Sequence, residues 1–406
     1  MFNNEKSNLQ TSDNLTQRNG KIYLLVTLSA MTAFAPLVTD MYLPALPALS
    51  DFFNTSASMV QMTISTSMLG IAVGQLFFGP FSDKFGRRRP LFASFILYLL
   101  ATLGCIFAPN IVLLITFRLL QGLGAAGSIV LARSIAADWF SGKDLLKFLA
   151  LIAAVQGIAP IAAPIAGGVL LLVTDWKGIF VTLGLLGLWV MIFCFYLKES
   201  LPRHKRVKAP VISTVKFFVP VLKNRLLMLY IALLSFSTAI MFAYIASSPF
   251  IFQEHYGVSP MAYSAIFAVN AVALMIGNLL SARLKNPHKT LKYSVIGLFC
   301  FSIITSLTLA FNAEIYIVCV SLFFSLLFAG ATFPISTNLA LDLEKKYRGT
   351  ASAVLGAATF LVGCIVMPLA GIGEILLSTA VVMTACAIII AIIHLIITKI
   401  NLKKTV

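Results

Sequence analysis

The sequence predicts an all-α membrane protein of twelve spans arranged as two sets of six, and three observations carry that prediction. The 406 residues are 59% hydrophobic and only 11% charged, against roughly 25% charged in an ordinary soluble domain. A mean hydropathy of +0.96 exceeds what a water-soluble core can hide, because too much of any chain stays at its surface. Soluble, disordered and collagenous classes are thereby excluded, and the bilayer is the solvent. Second, charge-poor stretches near the roughly 20 residues that a spanning helix needs recur twelve times. Third, the basic residues alternate from loop to loop as a multi-pass topology requires.

The spans fall, in order, at about 22–46, 57–80, 90–108, 111–134, 147–172, 177–197, 226–248, 261–282, 291–311, 315–338, 350–370 and 375–398. Three joins, at 109–110, 312–314 and 371–374, are very short. Residues 1–20 are polar, carry no apolar signal-peptide core and read as a cytoplasmic tail. With both termini on the cytoplasmic side, 28 of the 30 Lys and Arg residues fall on that side, counting Arg133 at a helix end. Lys177 alone lies outside and Arg118 alone lies within a span. The positive-inside rule gives the orientation. The net charge of +16 is accounted for by topology and anionic headgroups, and no nucleic-acid partner is expected.

The longest internal loop, 199–225, is basic, contains Pro202, Pro210 and Pro220, and divides the spans six and six. It reads as a linker between an N-terminal six-helix bundle at 21–198 and a C-terminal one at 226–398, with a cytoplasmic tail at 399–406. Such halves suggest a duplicated bundle. The internal repeat is faint: Gly277 to Arg283 stands where a copy of Gly74 to Asp83 is expected and lacks the acid. All six cysteines lie in proposed spans and read as small apolar packing residues. The four histidines are scattered, so no metal is expected, and no nucleotide-binding loop is present. No constellation supports an enzyme.

Asp40, in Thr39-Asp40-Met41-Tyr42-Leu43-Pro44, is the acid placed well inside a span. A charge at the centre of a spanning helix costs about 2.5–3.5 kcal/mol, so such residues face a cavity or a partner. A carboxyl drawn out of water favours its protonated form, which makes Asp40 the proton-exchange candidate. Pro36, Asp40 and Pro44 are spaced by four and share one helix face. The prolines break hydrogen bonds and make the helix irregular where its acid sits. Arg118 lies roughly 12 Å into span 4 and Asp40 roughly 9 Å into span 1, both from the external end. At those depths the two side chains can meet or share a water chain, and a static ion pair is the other reading. Gln121 follows Arg118 by three and shares its face.

In span 5, Ala153, Gly157, Pro160, Pro164 and Gly168 form a stripe of small residues and prolines, which allows close packing and also suits a hinge or seal. Tyr244, Asn270, Asn278 and Asn338 are polar groups that suit either a cavity wall or interhelical hydrogen bonding. Between spans 2 and 3, Gly79-Pro-Phe-Ser-Asp83-Lys-Phe-Gly86-Arg87-Arg88-Arg89 is a glycine-bounded turn in which one acid persists among four bases. That pattern suits a specific latch better than simple anchoring.

These elements together resemble the major facilitator superfamily, and within it the twelve-span drug:proton antiporters of the Bcr/CflA group. Gly79 to Arg89 is similar to the superfamily's signature loop. Arg118, Gln121, Gly122 and Gly124 match its span 4 pattern. Gly157 to Gly168 is similar to its span 5 antiporter motif, with Gly157-Ile-Ala-Pro160 in place of a Gly-Pro pair, and Asp40 to Pro47 is similar to the group's span 1 segment. The resemblance implies two six-helix bundles around a central cavity open alternately to each side. It implies proton coupling and substrate binding at Asp40 and Arg118; Gln121, on the Arg118 face, and Tyr244 and Asn270 are the further candidate substrate contacts read from the spans themselves. It implies an inner-gate latch in which Gly79, Asp83 and Gly86 act against the start of span 11, with Arg87 and Asp138 in the same charge network. The second span 1 acid of some relatives is absent, and Thr32 stands there.

The expected function is therefore export of small amphipathic compounds, drugs and antibiotics among them, in exchange for protons. No cofactor is expected beyond the coupling proton, and the chain is expected to be a monomer in the inner (cytoplasmic) membrane. Moving one charge through 100 mV is worth about 2.3 kcal/mol, so one proton sustains roughly a fifty-fold gradient of a neutral substrate. Export of a defined metabolite is the alternative. A passive carrier, a channel and a non-transporting sensor are the readings from other classes.

Overall fold

The computed structural model describes residues 20–140, 142–206, 218–284, 286–344 and 348–405, with some side chains among them, including that of Ala153, left out. The N-terminal tail, 207–217 of the linker and the residues leading into span 11 lie outside the described residues. The described chain is helical throughout its spans. Among the described residues, eleven helices are long and apolar enough to cross a membrane. The remaining predicted one, span 5, is a helix over Gly142–Leu170 whose described apolar segment is Gly157–Leu170. Leu100, Leu185, Val381 and many other large apolar side chains are exposed on helix surfaces, as expected where lipid replaces water as solvent.

Several helices start on a side-chain cap, although Glu314, at the short join 312–314, makes no such bond. Asn110 accepts from the Leu113 N–H at the start of span 4, Ser259 from Ala262 at the start of span 8, and Asn286 from Lys289 at the start of span 9. Each cap satisfies one of the helix's orphan donors. Pro260 and Pro287, at the first helical position, cost no hydrogen bond there.

Span 1 differs from expectation. It runs over Ile22–Phe53 and is broken: one helix ends at Asp40, a 3₁₀ turn covers Leu43–Ala45, and a second helix runs Leu46–Phe53. Pro36 lies within the first helix, but Pro44 lies in the turn. Pro36, Asp40 and Pro44 therefore do not share one continuous face, because Pro44 and Pro47 start new helical segments instead of continuing the first. The irregularity is at the acid, which terminates its helix.

Close packing groups the chain into two compact units. One comprises Met1–Met41, Thr66–Ala163 and Lys177–Val211; the other comprises Tyr42–Ser65, Pro164–Trp176 and Ile212–Val406. Within the first, spans 2 and 4 cross at glycines. A Cβ on Gly122 would lie 1.9 Å from the Ser67 carbonyl oxygen, and one on Gly70 would lie 2.2 Å from that of Leu119. Within the second, spans 8 and 10 cross the same way: Gly277 against the Leu327 carbonyl at 1.9 Å and Gly330 against that of Leu274 at 2.1 Å. The repeat that is faint in sequence is thus plain in backbone contact. It equates Gly277 with Gly70, one helical turn from the Gly74 that the sequence suggests.

Candidate functional site

Asp40 is 7% exposed and closes its helix. The Thr39 hydroxyl donates to its Oδ1 at 2.8 Å. Because the helix stops here, its final carbonyls lose their intrahelical donors. Arg118 takes one of them: its Nη1 donates to the Val38 carbonyl at 3.2 Å and to Gln121 Oε1 at 2.6 Å. The arginine is fully buried, and its guanidinium lies 5.7 Å from the centre of the Phe180 ring, within cation–π range. Gln121 Nε2 then donates to Thr102 Oγ1 at 2.8 Å, and Tyr98 OH donates to the Leu183 carbonyl at 3.1 Å beside it. The structure brings Arg118 and Gln121 together and sets the arginine on the backbone of the turn that carries Asp40. Sequence reasoning missed Tyr98, Thr102 and Phe180, whose residue types alone look like ordinary span residues.

The span 2–3 turn assembles a charge network. Gly86 has φ +90°, in the left-handed region that favours glycine, and a Cβ there would lie 2.5 Å from Arg206 Nη2. Arg87 donates to Asp83 at 2.6 Å, to Ser82 Oγ at 2.7 Å and to Asp138 Oδ2 at 2.9 Å. Burial pushes the Arg87 guanidinium down while Asp138 and Asp83 push it up. The acids prevail, and it stays charged. Gly79 has room around it, with Val130 the nearest side chain at 3.7 Å from a built Cβ.

Two further residues complete this network and were not singled out from sequence. Glu199 accepts from the backbone N–H of Arg87 at 2.8 Å and of Arg88 at 3.3 Å, and Ser200 Oγ donates to Asp138 at 2.7 Å. A signal was available, since Glu199 is an acid among many bases, as Asp83 is.

The span 5 motif is divided between the units. Gly157 is exposed with nothing near a built Cβ, and Pro160 is half-buried. Pro164 and Gly168 pack against span 8, where Ser264 Oγ lies 2.8 Å from the Pro164 carbonyl and 2.5 Å from a Cβ built on Gly168. In the second unit Asn270 Nδ2 donates to Tyr244 OH at 2.9 Å, both side chains buried. The Tyr244 ring stacks on Phe267 at 5.7 Å, and Asn278 and Asn338 are exposed. Among the described residues, no three His, Cys, Asp or Glu side chains group as a metal site.

The family model for the Major Facilitator Superfamily matches residues 28–368 and 240–403. The chain is 34% identical over 380 residues to the uncharacterized MFS-type transporter YdgK of Bacillus subtilis, covering 92% of this chain and 94% of that protein. It is 26% identical over 401 residues to a bicyclomycin resistance protein homolog of Haemophilus influenzae, 96% of this chain and all of the relative. It is 29% identical over 338 residues to the multidrug resistance protein MdtL of Salmonella typhi, 81% and 83% of the two chains. Among solved structures, a bacterial homolog of the human lysosomal transporter Spinster, inward-facing and unoccupied, superposes with a TM-score of 0.75 at 17% identity, covering 94% and 97%. The xylose transporter XylE of E. coli does so at 0.70 and 13%, covering 91% and 96%.

Proposed function

Since this chain belongs to the Major Facilitator Superfamily, we propose that it is a proton-coupled antiporter that exports small amphipathic compounds, drugs among them, by alternating access. The observation that carries the reading is Asp40: a buried carboxyl at a helix break, on a turn whose free Val38 carbonyl is held by the buried Arg118. A carboxylate in such a place binds a proton or a substrate's polar group, and each competes with the other. The names of two relatives, a bicyclomycin resistance protein homolog and a multidrug resistance protein, support drugs as the substrate class. In this reading Gln121 orients Arg118, and Tyr244 with Asn270 supplies substrate contacts from the second half. The network of Asp83, Gly86, Arg87 and Asp138 holds the inner gate, the spans form six-helix bundles over 21–198 and 226–398, and the coupling proton is the one cofactor. The protein acts as a monomer in the inner membrane with both termini cytoplasmic.

The test is proton flux in proteoliposomes with an imposed pH gradient, followed as candidate drugs are added. Drug-dependent flux is expected in the wild type and its loss in Asp40→Asn. Drug movement that ignores the gradient moves the passive carrier to the front, and a fully active Asp40→Asn overturns the assignment of the coupling proton to Asp40.

A further inference from the structure

Arg118 and Gln121 begin a longer relay of buried polar groups whose far end lies on span 3. Within the first compact unit, Gln121 Nε2 donates to Thr102 Oγ1 at 2.8 Å, and Thr102 Oγ1 donates to the Tyr98 carbonyl at 2.7 Å. Tyr98, Thr102, Arg118 and Gln121 are each at most 1% exposed. Gly124 makes the contact possible, because it follows Gln121 by three and lies on the same side of span 4. A Cβ there would lie 2.6 Å from the Tyr98 backbone nitrogen and 2.8 Å from the Ser94 carbonyl oxygen, so spans 3 and 4 approach at backbone distance. Tyr98 is itself tethered. Its hydroxyl donates to the Leu183 carbonyl of span 6 at 3.1 Å, and the Phe34 ring of span 1 meets its ring edge-on at 4.5 Å.

The two ends of the relay fix its direction. A guanidinium has only donors, and a backbone carbonyl only accepts. Every group between them must accept from the Arg118 side and donate toward Tyr98. Gln121 accordingly turns Oε1 to Arg118 and Nε2 to Thr102, and a flipped amide would set donor against donor at Arg118. Thr102 spends its one proton on the carbonyl four residues back, a bond that threonine makes readily in a helix. It therefore presents only lone pairs to Gln121. Without that hydroxyl, Gln121 Nε2 is a buried donor stripped of its acceptor, and the amide is no longer held with Oε1 on Arg118.

We propose that Thr102 is a positioning residue for transport: it fixes the Gln121 amide, and through it the pose in which Arg118 holds the Val38 carbonyl beside Asp40. This role rests on the reading of Asp40 and Arg118 as the coupling site, and it reaches Arg118 only through Gln121.

The experiment compares Thr102→Val, which keeps the shape and removes the hydroxyl, with Thr102→Ser, Gln121→Ala and the double variant Thr102→Val/Gln121→Ala. Drug-dependent proton flux in proteoliposomes is read per amount of folded protein. Thr102→Val should lower flux about fivefold, the factor that one ordinary hydrogen bond gives, while Thr102→Ser stays within about twofold of wild type. The double variant should be no slower than Gln121→Ala, because the relay is already cut at the glutamine. Wild-type flux in Thr102→Val, a Thr102→Ser as slow as Thr102→Val, or losses that multiply in the double variant overturn the proposal. Thermal unfolding of the same proteins separates this from failure of the antiport reading. If the wild type shows no drug-dependent flux, the antiport reading falls and unfolding alone judges the relay. Thr102→Val that destabilises the wild type but not Gln121→Ala keeps the relay, and losses that add overturn it.

Discussion

At Arg118, Nη1 donates to both the Val38 carbonyl and Gln121 Oε1, while the guanidinium carbon lies over the Phe180 ring. A lysine keeps the charge but lacks the planar fork that serves several acceptors and an aromatic face together. Arg118→Lys is therefore expected to lower transport about tenfold or more while the protein still elutes as a folded species, and Gln121→Ala to lower it less. Equal activity of Arg118→Lys and wild type in a flux assay would show that only the charge matters. The charge network gives a second contrast at this scale. The Asp138 side chain is 16% exposed and that of Asp83 is 48% exposed, and Asp138 also receives Ser200. Removing one partner of a buried pair costs far more than removing one from a solvated pair. Asp138→Asn should destabilise the protein by about 2–3 kcal/mol and Asp83→Asn by under about 1 kcal/mol, read as thermal unfolding in detergent. The reverse order would contradict the burial argument.

Among the elements, the spans themselves were readable because bilayer thickness dictates their length and lipid dictates their composition. The start of span 4 falls at 111 as expected, but span 9 is expected from 291 whereas its helix starts at Pro287, behind the Asn286 cap that hydropathy alone does not show. Span 1 was harder: Pro36 and Pro44 announced irregularity, but where the helix stops depends on which carbonyls find other donors, and Arg118 supplies one from 80 residues away. The start of span 3 shows the same limit. Its first N–H groups are satisfied by Glu199, more than a hundred residues on, which no local pattern encodes. A carboxylate at a helix N-terminus stabilises both the orphan donors and the helix dipole. Glu199→Ala is expected to cost about 1 kcal/mol and to speed amide hydrogen exchange at Arg87 and Arg88 ahead of the rest of span 3. Unchanged exchange at those two amides would remove Glu199 from the capping role.

For the whole molecule, duplication is the organising fact, and it is written in backbone approach more than in side-chain identity. At the span 2–4 crossing of Gly70 and Gly122 and the span 8–10 crossing of Gly277 and Gly330, a Cβ built on each glycine would lie between 1.9 and 2.2 Å from a carbonyl oxygen. Backbone cannot step aside as a flexible side chain can, so a methyl group must push two helices apart. Gly122→Ala and Gly330→Ala should each destabilise by about 1–3 kcal/mol, the usual cost of overpacking, and by similar amounts, because the two sites are the same contact in two halves. Gly157→Ala is the control from the span 5 stripe. Nothing lies within 4 Å of a Cβ built there, and alanine is the better helix former by about 0.8–1 kcal/mol. That variant should unfold no earlier than wild type. Thermal unfolding of the three purified variants decides the matter. A destabilised Gly157→Ala would mean that the stripe packs along its whole length, whereas loss at one crossing and tolerance at the other would mean that the two halves have diverged in how their helices are held.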